Sequence, residues 1–254
     1  MNSTDSHYLG GYEVTQSGDW VRLGGSDREV PLPLMAPTFW DGLTDPARHW
    51  FLVNGLERRV VNGHRLLTQG ARPTKVIILL DGTAVSETVT ECGERGYTGL
   101  ARSGDLIGAT EAISAEPYPA TVRAIAPHNR VLAVALQVFH QALDDHPEIT
   151  RALVHALTKQ LTHAERRRSI LLGPARRRIA RILLYLAEQV GAPSPAGSVI
   201  TITQADLALW TGLSIRSVEE TIRGFQERDG CIAHTRRKIT ITDMECLRLY
   251  ARGG

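Results

Sequence analysis

The sequence predicts an α+β fold: an N-terminal antiparallel β-roll resembling a jelly roll, a long central helix and a C-terminal winged helix-turn-helix. Three observations lead to this prediction. Short β-type runs alternate with glycine turns between about Phe39 and Pro127. Apolar residues recur at three- and four-residue spacing from Pro147 to about Leu171. Two short helical segments joined by a glycine turn occupy Ile202–Gly230, and a hairpin pattern follows them.

The composition is that of an ordinary globular protein. The 254 residues are 43% hydrophobic and 22% charged, enough for one large domain or two modest ones. No apolar stretch approaches the roughly 18–20 residues of a membrane helix, and the polar stretch Met1–Gly11 lacks a signal core. We therefore expect a cytoplasmic protein with no membrane partner. No Ser-His-Asp cluster, phosphate-binding glycine loop or HExxH motif occurs, so we expect no enzyme.

The cysteines and the charges carry further information. Cys92, Cys231 and Cys246 form no CxxC pair, so we expect three reduced thiols and no metal. From Glu165 onward the chain has 15 Lys and Arg against 9 Asp and Glu, a net charge of +6. The residues before Glu165 have 14 Lys and Arg against 18 Asp and Glu, a net charge of −4. A basic C-terminal part is typical of polyanion binding, although solvated helix faces also collect arginines.

The first half of the chain contains an extension and the predicted roll. Residues 1–36 have little periodicity and form an N-terminal extension, with short strands possible at Tyr12–Val14 and Trp20–Leu23. A short helix or two is expected within Phe39–Val53. The predicted roll strands are Arg59–Val61, Arg65–Thr68, Val76–Leu80, Ala84–Thr90, Tyr97–Ala101 and Thr121–Ile125.

The helical part is predicted to begin near Arg130. A first helix is expected over Val131–Asp144 and a second over Pro147–Leu171, with a third over Pro174–Val190. The loop Gly191–Gly197 and a strand over Val199–Thr203 follow. The apolar stripe of the second helix includes Ile149, Leu153, Ala156, Leu157 and Leu161.

The helix-turn-helix is predicted from local signals. Thr203 is a suitable N-cap for a helix over Gln204–Trp210, and Ser214 for a helix over Ile215–Asp229. Gly212 permits the tight turn between them. Strands over Cys231–Ala233 and Lys238–Thr242 then form a basic hairpin, or wing.

These elements favour double-stranded DNA as the partner. The second helix, residues 215–229, can enter the major groove, while helix N-termini and wing cations contact phosphates. Arg216 and Ser217 are the main candidates for base contact. The alternative is a small helical domain with a solvated basic face. The candidate DNA-binding residues are Thr203, Gln204, Ser214, Ile215, Arg216, Ser217, Glu219, Glu220, Arg223, Arg236, Arg237 and Lys238.

Three stretches resemble the Crp/Fnr family of bacterial regulators, over about Phe39 to Tyr250. They are Leu67–Gly82, then Gly104-Asp-Leu-Ile-Gly108 with the later Ala120-Thr-Val-Arg-Ala124, and finally Ile202–Ser214. The resemblance implies a cyclic-nucleotide-binding-type β-roll over 37–145, a dimerisation helix over 146–172 and a winged helix-turn-helix DNA-binding domain over 173–254. It also implies a homodimeric transcriptional regulator that binds an approximately palindromic operator and can recruit RNA polymerase. The dimer contacts would come from the apolar stripe of the second helix.

The effector pocket departs from the family's nucleotide-binding pattern. In that pattern a Gly-Glu holds the ribose and a later Arg-Ser or Arg-Thr holds the phosphate. Here Ala109 follows Gly108, and Tyr118-Pro119 stands at the Arg-Ser position. We therefore expect no ordinary cAMP binding, no evident cofactor, and at most an unidentified small-molecule effector. The residues of this altered pocket are Gly108, Ala109, Glu111, Tyr118, Thr121 and Arg123.

The recognition helix departs as well. The family commonly has Arg-Glu-Thr-Val at its start, where this chain has Ile215-Arg-Ser-Val218. Ile215 offers only apolar contact, for instance to a thymine methyl, so the operator should differ from a TGTGA-type half-site. A second hypothesis is a ligand-sensing module whose winged helix binds protein through Glu219 and Glu220. A third, an enzyme with a regulatory roll, has no chain length left for a catalytic domain.

Two further groups of residues have more than one interpretation. His140, His146, His155 and His163 fall on the predicted helices, and ordinary surface or interface histidines are more common than ligands. The triplets Arg166–Arg168 and Arg176–Arg178 flank Gly173. They are either solvated helix ends or contacts to a DNA backbone or an anionic effector.

Overall fold

The computed structural model describes residues 12–14, 20–22 and 38–252. In the N-terminal unit, β1 (Tyr12–Val14) and β2 (Trp20–Arg22) pair as antiparallel strands. Both strands lie where the sequence favours them, except that Leu23 is outside the described residues. The other residues of the predicted extension are also outside them.

The second unit begins with the predicted β-roll. Its strands form two four-stranded antiparallel sheets with the orders β3-β10-β5-β8 and β4-β9-β6-β7. All six β-runs predicted from the sequence are strands. The elements are α1 (Asp45–Asn54), β3 (Leu56–Val61), β4 (Arg65–Leu67), β5 (Lys75–Asp81), β6 (Thr83–Val89), β7 (Arg95–Arg102), β8 (Leu106–Ile107), α2 (Ala109–Ser114), β9 (Thr121–Ala124) and β10 (His128–Ala135).

Strand β5 is apolar on both faces, because one face packs against the second sheet of the roll and the other against the surrounding helices. Successive strand residues point to opposite faces. Ile77 and Leu79 pack between the two sheets, with Val122 and Val131. Val76 and Ile78 face the other way, into a cluster with Phe51, Phe139 and other residues of the surrounding helices. Because both faces are covered, the strand is apolar throughout rather than alternating.

The prediction of a helix over Val131–Asp144 is wrong in its first part. Residues through Ala135 belong to β10, the strand between β3 and β5, and α3 (Leu136–Asp145) begins only afterwards. Val131, Leu132 and Val134 are buried on this strand. A short apolar run fits a buried strand and a buried helix equally well, so its periodicity could not decide between them.

The central helix α4 (Pro147–Ile170) spans 24 residues, as the sequence predicts. Pro147 occupies its first turn, where the missing N–H costs no hydrogen bond. The next helix, α5 (Ala175–Val190), follows Gly173, whose φ of +102° favours glycine. Arg181 of α5 donates to the carbonyls of Ser169 and Leu172, at 2.9 and 3.3 Å. These bonds satisfy acceptors that the end of α4 would leave open.

The C-terminal part is a winged helix-turn-helix packed on α5. Its sheet has the order β11-β12-β14-β13, and its core includes Leu183, Leu207, Val218, Ile222 and Phe225. Two elements were not predicted: β11, within the expected loop 191–197, and the C-terminal helix α8. The elements are β11 (Ala192–Ser194), β12 (Gly197–Thr201), α6 (Gln204–Thr211), α7 (Ile215–Glu227), β13 (Ile232–Thr235), β14 (Lys238–Ile241) and α8 (Met244–Arg252).

The cysteines differ from the expectation of three reduced thiols. Cys231 and Cys246 form a disulfide, with their Cα atoms 5.7 Å apart, and Cys92 is free and exposed. The pairing depends on α8, which places Cys246 beside the start of the wing. The sequence reasoning did not predict this helix, although Asp243 caps its start by accepting from the Cys246 backbone N–H at 3.0 Å. None of the described helices is long and apolar enough to span a membrane.

Candidate DNA interface and effector pocket

The first helix of the motif begins with a complete capping box. The Thr203 hydroxyl accepts from the Asp206 backbone N–H at 3.1 Å. Asp206 Oδ2 accepts in return from the Thr203 backbone N–H and hydroxyl, at 3.0 and 2.6 Å. Thr203 is therefore the N-cap, as predicted, and Asp206 is the partner that the sequence reasoning did not name. The box fixes where α6 begins and how its first turn is oriented.

The turn and the second cap also match the prediction. Gly212 adopts φ +66°, ψ 23°, the left-handed conformation that ends α6. Ser214 then caps α7, its hydroxyl accepting from the Ser217 backbone N–H at 3.2 Å. The two caps and the glycine set the crossing of α6 and α7, which bury Leu207 and Val218 between them.

One face of α7 is exposed along its first turns. Ile215 is 52% exposed, and the side chains of Arg216 and Glu220 are 87% and 62% exposed. Arg216 Nε donates to Glu220 Oε1 at 3.0 Å, one helical turn away. An ion pair this exposed is weak, so both side chains are available to another partner at little cost. Val218 and Ile222 face the core on the opposite side.

The wing lies beside this face and is basic. Arg236 and Arg237 form the turn between β13 and β14, Lys238 begins β14, and all three are exposed. The Arg237 carbonyl accepts from the Ile202 backbone N–H at 3.0 Å, which ties the wing to the start of α6. A polar groove between the wing and the two helices is lined by Gln204, Glu219, Ile222, Arg223, Gln226, Glu227 and His234. Four of these, Ile222, Gln226, Glu227 and His234, were not among the predicted DNA-binding residues.

A cavity of about 280 Å³ lies where the roll, α4 and α5 meet. Gly108, Glu111 and Tyr118 of the predicted effector pocket line it, whereas Ala109, Thr121 and Arg123 do not. The sequence reasoning missed Arg102 of β7 and assigned no helix residue to this pocket, although it gave the Arg166–Arg168 triplet as a possible contact to an anionic effector. The lining contributed by α4 and α5 is Ala156, Lys159, Gln160, His163, Arg167, Tyr185 and Gln189. The four-residue spacing of Lys159, His163 and Arg167 was the available signal, since such residues share one helix face.

An aromatic ring fills the roll end of this cavity. The Tyr118 hydroxyl donates to the Lys75 carbonyl at 2.6 Å, and the side chain is buried. Its ring lies against Gly108, where a Cβ would come within 3.1 Å of the ring and 2.9 Å of Leu67. Gly108 also has φ +82°. Glycine is therefore required at this position for two reasons, close packing and backbone conformation.

Arg123 and Thr121 of the predicted pocket are bonded to other groups of the roll. Arg123 Nε donates to Glu87 Oε2 at 3.1 Å, and Arg95 Nε to Glu87 Oε1 at 2.6 Å. Burial raises the pKa of Glu87, but the hydrogen bonds from Arg95 and Arg123 outweigh it and hold that pKa below its ordinary value. The Thr121 hydroxyl accepts from the Gln69 backbone N–H at 3.2 Å. Arg123 thus binds a carboxylate of its own sheet, outside the cavity.

Two family models match this chain. A cyclic nucleotide-binding domain matches residues 57–146, and a Crp-like helix-turn-helix domain matches residues 177–250. The chain belongs to the Crp/Fnr family. It is a transcription regulator with a helix-turn-helix DNA-binding domain, and no enzyme family is indicated.

The curated relatives of this Crp/Fnr protein are distant. The fumarate and nitrate reduction regulatory proteins of Salmonella typhimurium and Escherichia coli K12 are each 24% identical over 210 residues. That alignment covers 79% of this chain and 81% of each relative. The match confirms the resemblance inferred from the sequence motifs.

Solved structures show the same fold. A CRP-family transcriptional regulator from Thermus thermophilus has a TM-score of 0.68 at 23% identity, covering 78% of this chain and 97% of its own. The c-di-GMP responsive regulator CLP of Xanthomonas campestris has a TM-score of 0.69 at 18% identity, covering 78% and 99%. These structures confirm the predicted α+β architecture of β-roll, long helix and winged helix-turn-helix.

The β-roll of this Crp/Fnr protein contacts its own helix-turn-helix. The Tyr97 hydroxyl, on β7, donates to Asp206 Oδ1 at 3.1 Å. The Tyr97 ring meets Trp210 of α6 edge-on at 5.4 Å, and Trp210 meets Tyr185 of α5 at 6.3 Å. Burial raises the pKa of Tyr97, and the Asp206 charge raises it further, so the hydroxyl stays protonated and donates.

The arginine triplets of this regulator have mixed roles. Arg166 pairs with Glu188 at 2.9 Å. Arg176 pairs with Asp229 and stacks over Tyr250 at 3.9 Å, holding α5, α7 and α8 together. Arg178 donates to the Gly173 and Thr211 carbonyls, at 3.0 and 3.3 Å. Three of the six arginines are therefore engaged within the chain, and Arg167 lines the cavity. Within residues 12–14, 20–22 and 38–252, no cluster of His, Cys, Asp and Glu could hold a metal ion.

Proposed function

We propose that this regulator is a homodimer that reads a specific, approximately palindromic DNA site with α7 in the major groove. The observation that carries the proposal is the exposed start of α7, flanked by two capped helix N-termini and a basic wing. Such a surface matches the shape and charge of duplex DNA, since a helix fills the major groove while surrounding cations and N–H groups meet phosphates.

The exposed side chains of α7 suggest how bases are read. Arg216 can make a bidentate contact to guanine once it leaves Glu220, and Ile215 can contact a thymine methyl. Ser217, Glu219 and Glu220 complete the groove-facing set. Phosphate contacts are assigned to Thr203, Gln204, Ser214, Arg223, Arg236, Arg237 and Lys238. An operator read this way differs from the TGTGA-type half-site, because no arginine stands at position 215.

The proposed dimer seam is a different face of α4 from the one the apolar stripe suggested. Ile149 and Leu153 are buried in the chain's own core, and Ala156 and Leu157 pack against it. A second row of α4 residues is exposed at alternating spacings of three and four, the repeat of a two-helix seam. Its members are Arg151, Val154, Thr158, Leu161, Glu165 and Arg168. Leu161 belongs to both sets, and it is 63% exposed.

The proposed domain division follows the same elements. Residues 37–145 form the effector domain, 146–172 the dimerisation helix and 173–254 the DNA-binding domain. We propose that cAMP is not the effector; what supports this is that Tyr118-Pro119 stands in the sequence where the family's nucleotide-binding pattern has Arg-Ser or Arg-Thr. Titration calorimetry with cAMP tests this, and binding at micromolar concentration would contradict it. Recruitment of RNA polymerase from the bound site is a further part of the proposal.

The test of DNA reading is site selection from a random duplex library, followed by fluorescence anisotropy on the selected site. Arg216→Glu should abolish specific binding, while Arg58→Glu, an equal charge change on the exposed face of β3, should preserve it. Affinity should fall steeply with salt, since released counterions drive the binding. If Arg216→Glu left binding unchanged, α7 would not be the reading helix, and a protein-interaction surface built on Glu219 and Glu220 would be favoured instead.

A further inference from the structure

A disulfide closes the chain around the wing. Cys231 lies just before β13, and Cys246 lies in the first turn of α8. The segment between these cysteines, which are 15 apart in sequence, contains both strands of the wing and the basic turn that joins them. One covalent bond therefore holds both ends of the segment that presents Arg236 and Arg237.

The disulfide joins elements that the backbone already packs together. The Cys231 backbone N–H donates to the Phe225 carbonyl of α7 at 3.0 Å, and the Cys231 carbonyl accepts from the Thr242 N–H, also at 3.0 Å. The Cys246 N–H donates to Asp243 Oδ1 at 3.0 Å. These bonds hold the two Cα atoms 5.7 Å apart, in the range for a disulfide. None of them needs the sulfur–sulfur bond, so the cysteines stay close together when it is reduced.

Both redox states of the pair are compatible with this packing. The Cys231 side chain is fully buried, and its Sγ lies 3.9 Å from the Asp229 carbonyl, which can accept the weak S–H hydrogen bond of a thiol. Cys246 is only partly buried, so its sulfur is the one that a small molecule can reach. An accessible sulfur beside a buried resolving sulfur is the arrangement of a redox-sensing pair.

The place where the protein works favours a reversible bond. A regulator that binds genomic DNA works where small thiols keep cysteines reduced. Disulfides are rare there, and those that form are usually transient, catalytic or redox-sensing, whereas permanent ones are typical of secreted domains. This step, like the effect on DNA below, depends on the DNA-reading function proposed above.

We propose that Cys231 and Cys246 form a reversible thiol–disulfide switch, oxidised by low-molecular-weight disulfides, that strengthens DNA binding by fixing the wing. The Cys246 thiolate attacks one sulfur of the small disulfide, forms a mixed disulfide and releases one small thiol. The Cys231 thiolate then attacks the Cys246 sulfur, closes the protein disulfide and releases the second small thiol. Two electrons pass from the cysteines to the small disulfide, and the two cysteine protons end on the released thiols.

The wing is the part of the DNA surface that the switch controls. Its cations Arg236, Arg237 and Lys238 are assigned to phosphates, and ordering them on DNA costs conformational entropy. A wing held at both ends has less freedom to lose, so the oxidised chain binds more tightly. The start of α7 is fixed separately, by the Ser214 cap and the buried Val218, so the choice of bases should not change.

The exchange is tested without DNA, on the full chain in a Cys92→Ser background. The protein is equilibrated in mixtures of reduced and oxidised glutathione and alkylated, and its free thiols are counted by mass spectrometry. We expect two thiols in the most reduced mixture, none in the most oxidised, and one two-electron transition between them. A pair that stays oxidised in millimolar reduced glutathione is a permanent structural bond, and a pair that never closes is no switch; either result overturns the proposal.

The effect on DNA is measured by anisotropy on the selected site, with the oxidised and the reduced chain at equal ionic strength. We expect reduction to weaken binding about three- to tenfold. Cys246→Ser should bind like the reduced chain in both conditions, and so should Cys231→Ala, which places no polar group in the core. Cys92→Ser is the matched control and should keep the full difference. Equal or tighter binding by the reduced chain overturns the effect on DNA.

A further variant shows whether the wing carries the effect. When Arg236→Gln and Arg237→Gln are combined, oxidation should no longer change the affinity, because the wing has lost its phosphate contacts. A full redox effect in this variant overturns the assignment to the wing. If neither redox state selects a DNA site while the thiols still titrate, the proposed function fails and the exchange stands, so the two failures are distinguishable.

Discussion

The hydrogen bond between Tyr97 and Asp206 joins the β-roll to the first turn of α6, the turn whose N-cap is proposed to face a DNA phosphate. Tyr97→Phe removes the hydroxyl and keeps the ring against Trp210. The capping box survives, because Thr203 uses Asp206 Oδ2 and Tyr97 uses Oδ1. The substitution therefore tests the contact between the domains without unravelling the helix start.

The size of the expected change in DNA affinity follows from the strength of this hydrogen bond. A hydrogen bond to a charged group contributes about 1.5–3 kcal/mol when buried, and this one is only partly buried, so we take about 1–1.5 kcal/mol. If the hairpin of β6 and β7 must leave α6 before DNA can bind there, losing the bond favours the DNA-binding arrangement by the same amount. A change of about 1.4 kcal/mol in free energy changes an equilibrium constant tenfold. We expect DNA affinity to rise about five- to tenfold.

The assay is anisotropy on the selected DNA site, together with urea unfolding of the same preparations. Tyr250→Phe is the matched control, because its hydroxyl also donates to an aspartate, Asp229, at 3.1 Å, but within the DNA-binding domain. Both variants should lose stability, and only Tyr97→Phe should gain DNA affinity. Unchanged or weaker DNA binding by Tyr97→Phe would refute the reasoning, because it would mean that the contact persists in, or is needed for, the DNA complex.

Three further predictions concern the dimer, the roll and the disulfide. Leu161→Glu should shift the chain from dimer to monomer in analytical ultracentrifugation. The control Leu249→Glu should not, although the Leu249 side chain is similarly exposed, at 62%. A dimer that persists in Leu161→Glu would exclude the proposed seam. Glu87 has a folded-state pKa below its ordinary value, so its stabilisation is present above that value and is lost as pH falls through the folded pKa. Urea unfolding between about pH 5 and pH 3 should therefore show a smaller stability loss for Glu87→Gln than for wild type, and parallel losses would argue against this assignment. Reducing the disulfide between Cys231 and Cys246, which are 15 residues apart, should lower the free energy of unfolding by up to about 3 kcal/mol. The measurement is made in a Cys92→Ser background, so that the third thiol does not contribute. Identical urea unfolding curves for the reduced and oxidised protein would contradict the pairing.

The helix-turn-helix was predictable because its signals are local. Thr203, Gly212 and Ser214 each act through bonds or backbone angles within four residues of themselves. A cap or a left-handed turn needs no distant partner, so the residue type at that position is informative by itself. The same reasoning explains why the start of α4 at Pro147 was predicted correctly.

The errors arose where distant parts of the chain decide the outcome. Val131–Val134 is a strand because β3 and β5 flank it, although both are far away in sequence. Cys231 is paired because the unpredicted α8 returns to the wing. The face of α4 that is buried against the roll could not be told from the exposed face, since both carry apolar residues at helical spacing.

The sequence by itself determined the order of β-roll, long helix and winged helix-turn-helix, and the absence of the family's usual nucleotide-binding pair at Ala109 and Tyr118. Only the tertiary structure brought Arg102, Lys159 and Arg167 to one cavity and placed Tyr97 against α6. The physical reason is the range of the interactions. Caps, turns and periodicity act over a few residues, whereas a cavity or a domain contact exists only when elements distant in the chain are packed together.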